Sequence, residues 1–98
     1  IDIKGQPGSA IRTILGGVVT TITYIRGYGT TIIVDHGGGF YTVYSHVTNI
    51  QATVDSEIRN GDVIAYMGDS GSINGSKLHF EIWGKGQKLD PEKWLRKR

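Results

Sequence analysis

The chain has 98 residues, with 11 Lys and Arg against 9 Asp and Glu, and it contains no cysteine. This length supports one small domain with a single hydrophobic core, and the lack of cysteine excludes a disulfide framework, a thiolate zinc site and a cysteine nucleophile. The net charge of +2 is too small to indicate nucleic-acid binding. No apolar run reaches the roughly 18 residues of a membrane-spanning helix. We therefore expect a single domain over 1–98, with no nucleic-acid partner and no membrane span.

Fifteen glycines and many Thr, Val, Ile and Tyr residues predict an all-β fold, an antiparallel sheet or β-sandwich with long loops. The predicted strands, in chain order, are Val18–Ile25, Thr30–Asp35, Phe40–Val47, Ile50–Val54, Asp62–Met67 and Leu78–Trp83. Near the end, Asp90 can cap a helix and proline suits the first helical position. One short C-terminal helix is therefore predicted over Pro91–Leu95.

The last predicted strand carries the clearest candidate site. Side chains alternate between the two faces of a strand, so the apolar residues Leu78, Phe80 and Ile82 are expected to face the core. Lys77 and His79 then share the opposite face with Glu81 and Trp83. A histidine in place of Lys77 would put two imidazoles side by side, a pattern that suits joint work at one metal ion.

The other two histidines lie earlier in the chain. Alternation along Phe40–Val47 places His46 on the face of Thr42 and Tyr44, at a strand end that could form the rim of a groove. His36 leads into a triple-glycine turn, and we interpret it as a polar turn residue. By spacing alone each histidine is more often structural than functional.

Several segments, in order along almost the whole chain, are similar to one known family. They are Ile1-Asp2-Ile3 with the later Gly8, the stretch from Gly27 to Gly37, Tyr44-Ser45-His46, Leu78-His79-Phe80-Glu81-Ile82, and Leu89-Asp90-Pro91 with Trp94-Leu95. Together they resemble the LytM/lysostaphin family of zinc endopeptidases, which cut peptidoglycan cross-bridges.

The resemblance implies roles for four positions. Asp2 and His79 match two of the family's metal ligands, and the third would lie three residues before Ile1. His46 matches one of two catalytic histidines, whereas Lys77 replaces the other. A charged ammonium accepts no proton and repels Zn²⁺, so we expect no enzyme activity and no cofactor, or zinc only if residues before Ile1 complete the site. Lys77 is predicted to form a salt bridge with Asp2.

Members of the family with such altered sites resemble the EnvC/NlpD group, which activates peptidoglycan amidases. The implied function is a non-catalytic domain that binds an amidase during cell-wall remodelling or division, with Tyr28, Ile73 and Lys77 lining the partner groove. The alternatives are an active zinc endopeptidase and a passive peptidoglycan-binding adaptor. The expected location is the bacterial envelope, in the C-terminal part of a longer protein.

Overall fold

The structure is a computed structural model that describes residues 2–4, 8–68 and 77–90. These residues form ten strands: β1 (Asp2–Lys4), β2 (Ala10–Arg12), β3 (Gly17–Ile25), β4 (Gly29–Gly37), β5 (Phe40–Ser45), β6 (Val47–Thr48), β7 (Glu57–Ile58), β8 (Val63–Met67), β9 (Lys77–Gly84) and β10 (Gln87–Leu89). The prediction of an all-β fold is confirmed. No helix occurs among the described residues, so none of them forms a helix that could cross a membrane.

Two antiparallel sheets make up the domain. The larger sheet has the order β1-β9-β5-β4-β3-β7, with β10 also paired to β9, and the smaller sheet has the order β2-β8-β6. The hairpin of β3 and β4 is the longest pairing and closes through Gly27, whose φ of 89° favours glycine. Strand β9 corresponds to the last of the predicted strands. It lies between β1 and β5 and not at an edge of the sheet.

The hydrophobic core lies between the sheets. It collects the inward-facing side chains of both, because alternate residues of each strand point the same way. Its members are Ile11, Val19, Ile32, Val34, Tyr44, Val47, Ile58, Ile64, Ala65, Met67, Leu78, Phe80 and Ile82. Burial of these side chains supplies the main driving force for folding.

Two strand predictions are corrected by the structure. The segment Ile50–Val54 forms no strand, because it leads into a turn in which Ser56 N donates to Thr53 O (3.1 Å) and Asp55 has a φ of 71°. A single long strand over Phe40–Val47 is also wrong. His46 has a φ of 64°, which ends β5 at Ser45 and sends the chain into β6 of the other sheet. The predicted helix over Pro91–Leu95 lies outside the described residues.

His36 is more than a polar turn residue. Its Nδ1–H donates to the carbonyl oxygen of Gly16 (2.9 Å), and Nε2 lies 2.7 Å from the hydroxyl of Thr42. The Thr42 hydroxyl also hydrogen-bonds to that of Tyr44 (3.1 Å), and both side chains are 2% exposed. His36 therefore ties the segment before β3 to β5, and it gives buried hydroxyls the partners that burial requires.

Candidate functional site

The outer face of the larger sheet, opposite the core, carries a shallow groove. One part, of about 170 Å³, is lined by Ile25, Tyr28, Val43, Ser45 and Glu81. A second part, of about 310 Å³, is lined by Ile33, Tyr41, Val43, Trp83 and Gly86. Val43 lines both parts, which therefore adjoin on this face across β4, β5 and β9; together they are called the groove.

Strand β9 forms one side of this groove as the alternation predicts. Leu78, Phe80 and Ile82 are buried in the core at 7%, 4% and 2% exposure, whereas the alternate positions are half-buried on the outer face. Lys77 and His79 therefore do share the groove side of the sheet. The pattern of the sequence was sufficient here, because β9 is regular over its whole length.

A polar cluster on β9 surrounds Glu81. His79 Nε2 lies 2.6 Å from Glu81 Oε2, and Trp83 Nε1–H donates to Glu81 Oε1 (2.8 Å). Lys88 on β10 places its Nζ 3.5 Å from Oε2. The side chains of His79 and Glu81 are only 16% and 14% exposed. The carboxylate is thus held by three neighbours and fixes the orientation of both rings at the groove wall.

Three rings, those of Tyr28, His79 and His46, lie near one another at the end of the groove that Tyr28 lines. The ring of Tyr28 lies 5.0 Å from that of His79 and 6.4 Å from that of His46, measured between centroids. His46 N also donates to Tyr28 O (2.9 Å), which fixes the turn after β3 against the end of β5. His46 itself is 3% exposed. Its positive φ interrupts the alternation predicted along β5, so a face shared with Tyr44 no longer follows from the pattern. The assignment of His46 to the rim of the groove stays a prediction.

The remaining predicted site residues are only partly described. Asp2 pairs in register with His79 across β1 and β9, and Lys4 pairs with Lys77. In this register the backbone of Asp2 is offset by two residues from that of Lys77. The salt bridge between them stays a prediction. Ile73, the third residue assigned to the partner groove, lies outside the described residues.

A zinc centre at the predicted position would use His79, the only predicted ligand whose side chain the structure describes. Such a centre needs at least three protein ligands, and no cluster of three His, Cys, Asp or Glu side chains within the described part of the chain could hold a metal ion. Nε2 of His79 is engaged by Glu81, so a metal would have to bind at Nδ1. Lys77, two residues earlier on the same face, adds positive charge beside that position.

Sequence reasoning missed the apolar part of the groove. Trp83 was placed on the correct face but not assigned to a site, and Ile33, Tyr41 and Val43 were not singled out. These residues come from β4, β5 and β9, which are neighbours in space but not along the chain. The available signal was the outward alternation of apolar residues on three predicted strands, which becomes informative only when their order in the sheet is known.

The carboxylate of Glu81 is stabilised in its charged form. Burial, the largest single influence, by itself raises its pKa, but hydrogen bonds from Trp83 and His79 and the positive charge of Lys88 together lower the pKa of Glu81 below its ordinary value of 4.5. A carboxylate with a lowered pKa in the folded state stabilises the fold above the unfolded pKa, and this contribution is lost as pH falls through the folded pKa.

Replacing Glu81 by glutamine should change how the stability of the protein depends on pH. The free energy of unfolding of the native protein should fall on acidification from about pH 5 to pH 3, whereas Glu81→Gln should show a flatter dependence in the same window. Urea unfolding followed by tryptophan fluorescence measures both curves. Glu57→Gln, at an exposed carboxylate, is the control and should keep the native slope. Parallel curves for native protein and Glu81→Gln would contradict this account.

Comparison with known proteins places these features in a family. Residues 1–91 match the model of peptidase family M23. The chain is 41% identical over 96 residues to outer membrane antigenic lipoprotein B of Haemophilus influenzae, covering 97% of this chain and 24% of that protein. It is 37% identical over 99 residues to murein hydrolase activator NlpD of Escherichia coli, covering 100% of this chain and 26% of NlpD. To murein hydrolase activator EnvC of the same species it is 33% identical over 93 residues, covering 95% of this chain and 22% of EnvC.

A solved structure supports the same assignment. The crystal structure of a peptidase M23 from Pseudomonas aeruginosa superposes with a TM-score of 0.91 at 26% identity, covering 96% of this chain and 41% of that one. The chain spans about a quarter of the length of the curated relatives it matches. The family model covers nearly the entire chain, and the fold agrees with it. The chain therefore belongs to peptidase family M23.

Proposed function

We propose that this domain binds a peptidoglycan amidase in its outer-face groove and activates it, without cutting peptidoglycan itself. The observation that carries the proposal is Lys77, which stands beside His79 on the groove side of β9, where the family's active members have a histidine. The names of NlpD and EnvC, murein hydrolase activators, support the same function. The proposal includes a place in the bacterial envelope as part of a longer protein.

The chemistry of the groove suits binding better than hydrolysis. General base catalysis needs a group that can accept a proton near neutral pH. His79 is engaged by Glu81, and Lys77 in its charged form has only donors. A groove with an apolar part and a few fixed polar groups is, in contrast, the usual form of a ligand-binding site. The partner segment is proposed to place an apolar side chain near Trp83 and polar atoms near Glu81.

The predicted residues keep their place in this proposal. Tyr28 and Lys77 flank the His79 end of the groove, and Ile73, which lies outside the described residues, is kept as a proposed contact on the basis of the sequence. Asp2 and His79 are proposed to remain without metal, so no zinc takes part. Peptidoglycan itself is a secondary ligand that the amidase brings to the complex.

The test measures amidase activity on purified cell wall. The domain is mixed with each amidase from the same bacterium, and the release of peptides from labelled peptidoglycan is followed. We expect the rate to rise about tenfold or more with one of these amidases, a change of about 1.4 kcal/mol in the activation free energy. The domain without amidase should release nothing.

Other outcomes identify the rival functions. Cross-bridge cleavage by the domain alone, together with stoichiometric zinc in the purified protein, would establish an endopeptidase. Tight binding to cell wall without any effect on an amidase would establish a passive adaptor. Either result would overturn the proposal.

A further inference from the structure

The β3 strand of the larger sheet has an edge that is paired over only a third of its length. Its partner β7 is two residues long and pairs with Gly17 and Val18. Val19 adds two hydrogen bonds, from its N–H to Ser56 O (3.0 Å) and from Asp55 N to its carbonyl oxygen (2.7 Å). Beyond Val19, no other strand of the described residues pairs with this edge over positions 20–25.

Of the features that keep sheet edges apart, this part of the edge has only a bulge at its inner end. Natural edge strands carry lysine, proline or a bulge that blocks pairing with another chain. Positions 20–25 read Thr-Thr-Ile-Thr-Tyr-Ile, without charge or proline, and the one bulge lies at the inner end, between Val19 and Thr21. Tyr24 is 66% exposed and Ile25 is 38% exposed. The segment has high β propensity and exposed apolar surface, so it is a template for a further strand.

We infer that the partner of this edge is a second copy of the same chain, paired antiparallel through β3 about a two-fold axis centred on Thr23. In this register Ile22 lies opposite Tyr24 of the other copy, and Tyr24 lies opposite its Ile22. Residues at i and i+2 share a face, so all four side chains meet on one side of the joined sheet. Aromatic and β-branched residues are favourable cross-strand pairs.

The charges at the ends of the segment match the same register. Arg26 follows β3 at the hairpin turn and is exposed, and it falls opposite Thr20 of the second copy. Thr20 adjoins Val19, whose carbonyl oxygen is bonded by the N–H of Asp55. The Arg26 side chain of each copy therefore comes beside the exposed Asp55 of the other. Apolar contacts at the centre and opposite charges at both ends are the arrangement of a specific isologous interface.

The first test needs no variant. Sedimentation velocity of the 98-residue chain over a series of concentrations should show a monomer that converts to a dimer. Hydrogen exchange is then compared at the lowest and the highest protein concentration. Amides of residues 20–25 should exchange more slowly at the highest concentration, whereas amides of β9 should exchange at the same rate in both. A chain that stays monomeric into the millimolar range, or protection confined to other strands, would overturn the inference.

Variants then identify the edge. Thr23→Lys brings two ammonium groups face to face at the two-fold axis, so we expect the dimer dissociation constant to rise at least tenfold. Gln87→Lys adds the same charge at an exposed position of β10 and should leave dimerisation unchanged. Thr23→Val keeps an uncharged β-branched residue and should remain dimeric. Equal effects of Thr23→Lys and Gln87→Lys would contradict pairing through β3.

A charge exchange tests the register. Arg26→Glu or Asp55→Lys alone should weaken the dimer, and the two together should restore it. Because Asp55 has a positive φ, circular dichroism must first establish that each variant is folded. Failure of the double variant to recover dimerisation would rule out the register centred on Thr23. Amidase stimulation is measured separately with Thr23→Lys, so loss of the dimer and loss of the proposed function are distinguishable.

Discussion

Replacing Val43 by lysine should abolish most of the amidase stimulation while the domain stays folded. Val43 is the residue common to both parts of the groove, and it is half-buried on the outer face of β5. A lysine there would fill the groove and place its ammonium group beside Glu81, its cross-strand neighbour. An apolar segment that enters would have to displace or desolvate this charge, which is costly. In the free domain the long side chain can still reach water, so the fold should tolerate the change.

The measurement compares partner affinity and amidase rate for three proteins. Val43→Lys should weaken binding of the amidase at least tenfold, which corresponds to about 1.4 kcal/mol. Val54→Lys is the matched control, because it makes the same substitution at a residue that is 47% exposed in a loop outside the groove. It should bind as the native protein does. Full stimulation by Val43→Lys would mean that the partner binds elsewhere on the domain.

Replacing Ile32 by alanine should lower the free energy of unfolding by about 2–5 kcal/mol. Ile32 is fully buried on β4, at the centre of the larger sheet, where it pairs in register with Ile22 of β3 and Tyr44 of β5. Truncation removes apolar contacts and leaves a cavity that the flanking strands cannot close. A domain of this kind has a total stability of about 5–15 kcal/mol, so the loss is a large fraction of the total.

Thermal and urea unfolding both measure this effect. For a domain of this size each 1 kcal/mol corresponds to a change of about 4–8 °C in Tm. Ile25→Ala is the control, because Ile25 is 38% exposed at the end of the neighbouring strand. It should cost less than about 1 kcal/mol. Similar losses for both variants would contradict the core assignment on β4.

Much of the fold could be read from local patterns. Turn residues and runs of β-branched residues located the hairpin of β3 and β4, and alternation assigned Lys77 and His79 to one face of β9. These predictions succeed where a strand is regular, because the direction of a side chain then depends only on its position. They fail at His46, where a positive φ interrupts the alternation.

The candidate site also combines features that local patterns predict with features that depend on the order of the strands. The sequence by itself determined the all-β class and the placement of Lys77 beside His79. The tertiary structure decided that Glu81 is held by His79, Trp83 and Lys88, and that Val43 lines both parts of the groove. It also decided that the outer edge of β3 over positions 20–25 pairs with no other strand of the described residues. The physical reason is that strand alternation is a local property, whereas cross-strand neighbours depend on a sheet order in which β9 lies between β1 and β5, far from both along the chain.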